Sequence, residues 1–299
     1  AEVRRGLVAP TSRVRRYPRG MSTPATPASP TTERRWREDL DLAHAIADQV
    51  DPVTRAHFER QDFEVQTKPD LTPVTDADRQ AERMIRESLS RARGRDRILG
   101  EEFGEEFGQT GRSPRQWVID PIDGTKNFVR GVPVWATLIG LVEDGEVVVG
   151  LVSAPALGRR WWATAGGGAW TGRSLSASRR LRVSGVSGLE DASLSYASLS
   201  GWARRRRLGA MLSLMRDCWR TRAYGDFWSY MLVAEGAVDL AAEPELELYD
   251  MAALVPIVTQ AGGRFTSLAG EAGPWGVDAV ATNGLLHDVV LERLAAETD

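Results

Sequence analysis

The stretch with the densest chemistry is Trp117-Val118-Ile119-Asp120-Pro121-Ile122-Asp123-Gly124-Thr125-Lys126-Asn127-Phe128. Trp117 to Ile119 is a short aromatic and β-branched run, which predicts a strand with Asp120 at its carboxyl end. That is the edge at which open α/β sheets place ligands. Pro121 fixes its own φ and biases Asp120 away from helix, so the chain turns and Asp120 and Asp123 can face one point. The two carboxylates are hard oxygen donors. The Ile122 carbonyl, without an obvious partner in the turn, makes a third ligand for a cation such as Mg2+. Gly124 and Thr125 then open a helix, where free N–H groups and the dipole favour a phosphate oxygen. An Asp-x-x-Asp pair by itself also fits a solvated turn with an aspartate cap, so the rest of the chain must supply the other ligands.

Upstream, residues 1–35 stand apart: residues 1–20 carry six arginines (Arg4, Arg5, Arg13, Arg15, Arg16, Arg19) against Glu2, and a Ser/Thr/Pro/Ala stretch follows from Met21. That composition buries no core. An Arg-rich, acid-poor start could be a targeting segment, but it has no apolar signal-peptide region, so residues upstream of a start at Met21 are the simpler reading, with a basic arm for nucleic acid as a lesser alternative. The expected fold therefore begins at 36, with an N-terminal half of about 36–185 and a C-terminal half of about 186–299. Trp36 to Glu59 has apolar residues at helical spacing, with an interruption expected near Pro52. His44 and His57 lie on it, and packing or surface roles suit them better than metal ligation. Phe63 to Gln66 alternates like a strand. A Pro-rich loop from Lys68 then feeds a helix over about Ala77 to Ala92, capped by Thr75 or Asp76. Asp78 in its first turn complements the dipole.

Ile98 to Gly100 is a strand end followed by Glu101-Glu102. Val134 to Val142 and Glu146 to Ser153 are strands joined by a hairpin turn at Glu143-Asp144-Gly145. The strand pattern continues over Arg159 to Ala163 and Ala169-Trp170. The glycines 166–168 between them lack the strand-turn-helix context of a dinucleotide loop. A surface loop over 173–190 contains a strand at Leu181 to Val183. The second half starts with a strand at Ser193 to Ser198 and a helix over Trp202 to Arg220. The run Arg204 to Arg207 reads as a solvated helix face, with a dimer interface or an anionic substrate left open. A helix at Trp228 to Glu235, a strand at Val238 to Ala242, a helix from Asp250 to Thr259 and a strand-turn at Ala279 to Leu285 complete the chain.

The 299 residues, 42% apolar and 26% charged, suffice for one large domain. A net charge of -3 gives no reason to expect nucleic acid or an anionic membrane as partner. The single cysteine, Cys218, forms no internal disulfide and fits a reducing cytoplasm. No apolar run approaches the ~18 residues of a membrane span.

Asp-Pro-Ile-Asp-Gly-Thr after an apolar strand resembles the first signature of the inositol-monophosphatase superfamily of Mg2+-dependent, lithium-sensitive phosphatases. The segment Lys68-Pro69-Asp70 to Asp78 resembles the element that supplies a lysine near the metals and an aspartate for an additional Mg2+, which places those roles on Lys68 and Asp78. Gly100-Glu101-Glu102 resembles the family's G-E-E element, with Glu101 as ligand. Tyr249-Asp250 followed by Ala261-Gly262-Gly263 resembles the second signature, with Tyr249 where tryptophan is usual and Asp250 as ligand. The resemblance implies metal ligation by Glu101, Asp120, Ile122, Asp123, Asp250 and Asp78, and two or three Mg2+ per site with Mn2+ as a substitute. It implies catalytic roles for Glu101, Thr125, Asp78 and Lys68, with Glu101 and Thr125 placing the attacking water and Gly124 and Thr125 N–H groups on the phosphate. It further implies an α/β fold, layered αβαβα, of the inositol-monophosphatase and fructose-bisphosphatase type, and a cytoplasmic homodimer.

On the alcohol side, the family's recognising acid matches Glu243, and Gly225-Asp226 adds a second acid, with Arg222 assigned nearby. Two carboxylates suit a leaving group that carries an amine and an imidazole. The sequence is similar, over roughly 38–296, to the histidinol-phosphatase branch of that family, which implies hydrolysis of L-histidinol phosphate. Inositol 1-phosphate, or sugar phosphates broadly, are the alternative substrates. A noncatalytic protein on this fold would lack a ligand, yet Glu101, Asp120, Asp123, Thr125 and Asp250 are all present.

Overall fold

A computed structural model describes residues 29–61, 63–67, 73–109 and 113–295. Lys68, and most of the basic N-terminal segment, lie outside the described residues. The chain begins with α1 (Pro30–Arg60), capped by Ser29. This helix starts six residues before the expected boundary, and it runs through Pro52 without a break. A proline inside a helix costs about 3 kcal/mol. Burial of Ile46, Ala47 and Val50 against the sheet offsets that cost.

A small hairpin of β1 (Val65–Thr67) and β2 (Pro73–Thr75) leads into α2 (Asp76–Arg93). The expected strand at Phe63 to Gln66 is thus shifted toward residue 67, where it pairs with β2. The main sheet follows: β3 (Arg97–Gly100), β4 (Gly104–Glu106), β5 (Arg115–Asp123), then helix α3 (Thr125–Val129). It continues through β6 (Ala136–Glu143), β7 (Glu146–Ala154), β8 (Arg159–Thr164), β9 (Gly168–Ser174) and β10 (Ala177–Arg180). The spatial order is β10-β9-β8-β7-β6-β5-β3-β4. The β6–β7 turn has Asp144 and Gly145 at φ 52° and 83°, the two left-handed positions of a tight hairpin turn. Leu181 and Val183 are buried but lie outside any strand. The pairing in that loop is made by exposed Ala177–Arg180 instead, because β9 offers its free edge there.

The second half contains β11 (Ser193–Ser195), α4 (Leu199–Arg204), α5 (Leu208–Asp217), β12 (Arg220–Arg222), α6 (Asp226–Ala234) and β13 (Leu240–Glu243). Then come α7 (Leu248–Met251), α8 (Leu254–Gln260), β14 (Arg264–Thr266), β15 (Ala279–Thr282) and α9 (His287–Ala295). Two helices replace each long one expected. The first break falls at Arg206, at φ 57°, with the Arg207 N–H returning to the Trp202 carbonyl. The second falls between α7 and α8, where the chain bends to lay α8 on the main sheet. The five-stranded sheet has the order β12-β11-β13-β15-β14.

Five layers result. Leu40, Ile46, Ile85 and Leu89 of α1 and α2 pack on one face of the main sheet, with Trp117 and Ile139. On its other face α6 and α8 bury Phe227, Tyr230, Leu254 and Ile257 between the two sheets. Beyond the second sheet, Met211, Leu214 and Val290 of α5 and α9 close a third core with Leu194 and Leu240. The sandwiched α8 comes very close to β7: a Cβ on Gly150 would lie 2.2 Å from the Ala253 carbonyl oxygen. This αβαβα stack is the expected fold. His44 is a core residue, edge-on to the Trp162 ring, and burial pushes it down to about 4. His57 bonds the Gln80 side chain. Among the described residues no helix is long and apolar enough to cross a membrane.

Candidate active site

Asp120 and Asp123 would point to opposite faces of a regular strand, since they are three residues apart. β5 instead carries a bulge. Asp120 pairs with Leu138 and Asp123 with Ala136, so three steps on β5 face two on β6. The extra residue resets the alternation and brings both carboxylates to one side. Pro121, which cannot donate a ladder hydrogen bond, sits in that bulge. The Asp120 carboxylate accepts from the Ile122 N–H at 3.0 Å, and Thr137 Oγ1 donates to the Pro121 carbonyl at 2.8 Å. The Ile122 carbonyl is not bare, as its sequence context suggested: Thr125 Oγ1 donates to it at 3.0 Å. The strand then ends in Gly124 at φ 85°, where a Cβ would meet the Val134 carbonyl oxygen at 2.9 Å.

Asp250 arrives from the other half. It stands on α7, in a reciprocal cap in which its carboxylate accepts from the Glu247 N–H at 2.7 Å. Oxygens of Asp120, Asp123 and Asp250 all lie within 4.8 Å of one another, the one such group of acidic, histidine or cysteine donors among the described residues. Glu101, in the turn after β3, lines the same cavity. Its charge acts on Asp120, Asp78 and Asp250. Asp78 is fully buried at the start of α2. It accepts from the Thr75 N–H at 2.8 Å and from Thr125 Oγ1 at 3.4 Å.

This crowding shows in the proton affinities. Burial, and then the charges of Glu101, Asp123 and Asp250, push Asp120 well above the carboxylate range. Asp123 is raised likewise by burial and by Asp226 and Asp250. Asp250 is pushed up to about 7, first by burial, and Asp78 to about 6 for the same first reason. Acids that repel in this way need cations among them. The donors are carboxylate and carbonyl oxygens without thiolate or imidazole, a set that fits a hard divalent cation and not zinc.

The other side of the cavity is built by the second half. Its volume is about 270 Å³. Asp226 begins α6 at φ 49°, a left-handed backbone that aspartate adopts only at some cost. Asn127 Nδ2 holds its carboxylate at 2.9 Å, and the Phe227 N–H donates to Asp123 at 2.7 Å. One turn thus ties the two acid groups together. Burial pushes Asp226 up to about 6 against the pull of Lys126. Glu243, at the end of β13, is buried and raised well above its usual range by burial and by Asp226 and Asp250. Glu243 and the buried Tyr230 hydroxyl interact with each other, and both residues line the cavity.

Gly225 positions Asp226 from the α6 N-cap. Arg222 does not join the group: it is exposed, bonds the Thr221 carbonyl and does not line the cavity. An arginine does reach the rim, but it is Arg204, paired with Glu245. Its sequence context favours a solvated helix face and leaves a dimer interface or an anionic substrate open, because the pairing joins residues 41 apart. Asn127, Tyr230 and Glu245 were also missed. Asn127 lay inside the quoted motif, and only its contact with Asp226 reveals a function. Tyr230 reads as one more apolar helix position.

A five-layer αβαβα stack with an oxygen-only acidic cluster between its two sheets defines the class of layered, metal-dependent phosphatases. The chain belongs to the inositol monophosphatase family, whose profile matches residues 35–299. A histidinol-phosphatase of Streptomyces coelicolor is 61% identical over 87% of this chain and 97% of its own length. A histidinol-phosphatase of Mycobacterium tuberculosis is 59% identical over 87% and 98%. Among solved structures, the extragenic suppressor protein SuhB of Bartonella henselae superposes with a TM-score of 0.79 at 27% identity, covering 87% of this chain and all of that one. An IMPase of Thermotoga maritima gives 0.75 at 31% identity over 86% and 96%.

Proposed function

We propose that the protein hydrolyses L-histidinol phosphate to L-histidinol and phosphate. The observation that carries the reading is a second acidic pair, Asp226 and Glu243, facing the cavity that also holds the Asp120–Asp123–Asp250 cluster. A phosphate at the cluster would leave its alcohol beside two carboxylates, which suits a leaving group with an ammonium and an imidazole. The names of the two relatives near 60% identity support the same substrate.

Glu101, Asp120, Asp123, Asp250 and the Ile122 carbonyl would hold two Mg2+ ions, with Asp78 serving a third and Mn2+ as a substitute. Bound there, the cations supply charge for the phosphate oxygens and the leaving alkoxide and acidify a water for in-line attack. Thr125 directs its hydroxyl proton to the Ile122 carbonyl, or to Asp78, and so keeps a lone pair for that water. Glu101 accepts the water's proton or orients it. Gly124 and Thr125, at the start of α3, present N–H groups to the phosphate. Asp226 and Glu243 bind the alcohol portion. Lys68 keeps its role beside the metals as part of this proposal, although it lies outside the described residues. A cytoplasmic homodimer belongs to the same reading, and light scattering of the purified protein checks the second half of it.

The test is phosphate release with Mg2+, comparing kcat/KM for L-histidinol phosphate and myo-inositol 1-phosphate, with an EDTA control. A strong preference for histidinol phosphate supports the proposal. Preference for inositol phosphate leaves the metal chemistry and overturns the roles of Asp226 and Glu243. That alternative is supported by a Thermotoga maritima relative, named fructose-1,6-bisphosphatase/inositol-1-monophosphatase, at 32% identity.

A further inference from the structure

Neither Glu82 nor Arg86 lines the cavity, yet both are buried on α2, at 0% and 8% exposure. Glu82 Oε1 accepts from Arg86 Nε at 2.8 Å and from the Phe103 N–H at 3.1 Å, while Oε2 accepts from the Glu102 N–H at 2.7 Å. Arg86 continues the tie: Nη1 donates to Glu106 at 3.2 Å and Nη2 to the Gly104 carbonyl. The strand end is pressed against the same carboxylate, since a Cβ on Gly100 would sit 2.1 Å from Glu82 Oε1. The turn that carries Glu101 is therefore gripped on both sides by one helix. That helix also carries Asp78, one turn earlier, locked in its reciprocal cap with Thr75.

A buried ion pair is a weak stabiliser compared with apolar packing, so stability alone gives little reason for this one. Its geometry gives a better reason. Resting on the role proposed above for Glu101, we infer that the Glu82–Arg86 pair is a positioning element that sets Glu101 relative to Asp78 and the acidic cluster. Its carboxylate takes the two N–H groups that follow Glu101, so the turn cannot rotate without breaking a charge-assisted bond. The pair governs cation affinity and turnover while leaving the alcohol side untouched.

The test uses Glu82→Gln, which keeps size but removes the charge and replaces one of two oxygens, both already accepting from N–H donors, with a donor. Leu89→Ala, a cavity in the same helix away from the turn, is the control for simple destabilisation. Melting temperature, its rise on titration with Mg2+, and kcat and KM for histidinol phosphate are measured for both. We expect Glu82→Gln to lose about 10–100-fold in kcat and to need about tenfold more Mg2+ for half the thermal shift, the scale typical of groups that orient metal ligands. KM stays within about threefold. Leu89→Ala keeps the Mg2+ midpoint and kcat at an equal loss of melting temperature. Losses in Glu82→Gln no larger than those in Leu89→Ala overturn the inference. Arg86→Lys, which keeps the charge but not the fork, serves if Glu82→Gln does not fold; wild-type Mg2+ response and kcat in it overturn the inference equally. Glu101→Gln is run alongside. If it is intact, the role of Glu101 falls and this inference with it. If it is impaired while Glu82→Gln is not, the inference falls alone.

Discussion

Two acidic regions share one cavity and are built in opposite ways. Asp120, Asp123 and Asp250 come from two separate elements and are brought within 4.8 Å with little to neutralise them. Asp226 is instead answered within the protein, by the Asn127 amide at 2.9 Å and by the charge of Lys126. The first arrangement gathers charge that cations would relieve, which suits the metal centre proposed above. In the second, Asp226 is held in place by the protein, which suits the proposed contact with a substrate group. The boundary between them is Asp123, which faces the cluster while accepting from the first free N–H of the Asp226 turn.

The sharpest break of this comparison is Asp120→Asn. It removes a charge from the cluster only, and kcat with saturating Mg2+ is expected to fall on the order of a thousandfold, beyond the ~10–100-fold typical of groups one contact further out. Phosphate release near the wild-type rate would reject the metal centre. Asp226→Ala acts on the other region. It is expected to lower kcat/KM for histidinol phosphate roughly tenfold to a hundredfold, the scale of a lost charge-assisted hydrogen bond, with a smaller loss for a neutral phosphate ester. Equal losses on both esters would erase the distinction.

Proton linkage separates the regions more gently. Asp250 at about 7, and Asp78 and Asp226 at about 6, lie above the unfolded-chain value near 3.9. Between about pH 4 and 7 the folded, metal-free protein therefore holds protons that the unfolded chain has released. Through these groups stability falls as pH rises across that window, opposed in part by His44 and His287, which burial pushes down to about 4. Calorimetry in EDTA should show a drop of several degrees in melting temperature, at roughly 2–4 °C per kcal/mol for a chain of this size. Mg2+ should restore more at pH 8 than at pH 5; a flat profile would mean that the cluster carries no strain of charge. The smallest effect belongs to the rim. Glu245→Gln breaks an exposed pairing with Arg204, screened by salt, and should change kcat/KM by less than about threefold. A larger change would extend the substrate side outward to α4.

The donor pattern from Asp120 to Thr125 was legible from the chain alone, because a short motif at a strand end carries its own local geometry, whereas Glu101, Asp226, Glu243 and Asp250 were reached through family resemblance. Also legible from the chain were the β6–β7 hairpin, written in Asp144-Gly145, and most strands of the main sheet, whose buried runs are long. The five-layer stack was reached through family resemblance, since periodicity does not tell which sheet a helix covers. Helix continuity was misjudged at Pro52 and Arg206, where packing outweighed local propensity in one case and an unforeseen left-handed residue broke the helix in the other. Arg222 was placed in the site by adjacency, whereas contact of Arg204 with an anionic substrate was only left open, for want of a local signal. Tertiary structure decided the rest: the bulge that turns Asp120 and Asp123 to one side, the meeting of Asp123 with Asp250, and the grip of Glu82 on the Glu101 turn. Each of these joins residues far apart in the chain or depends on strand register, and such contacts are set by how layers pack, which no spacing along the sequence encodes.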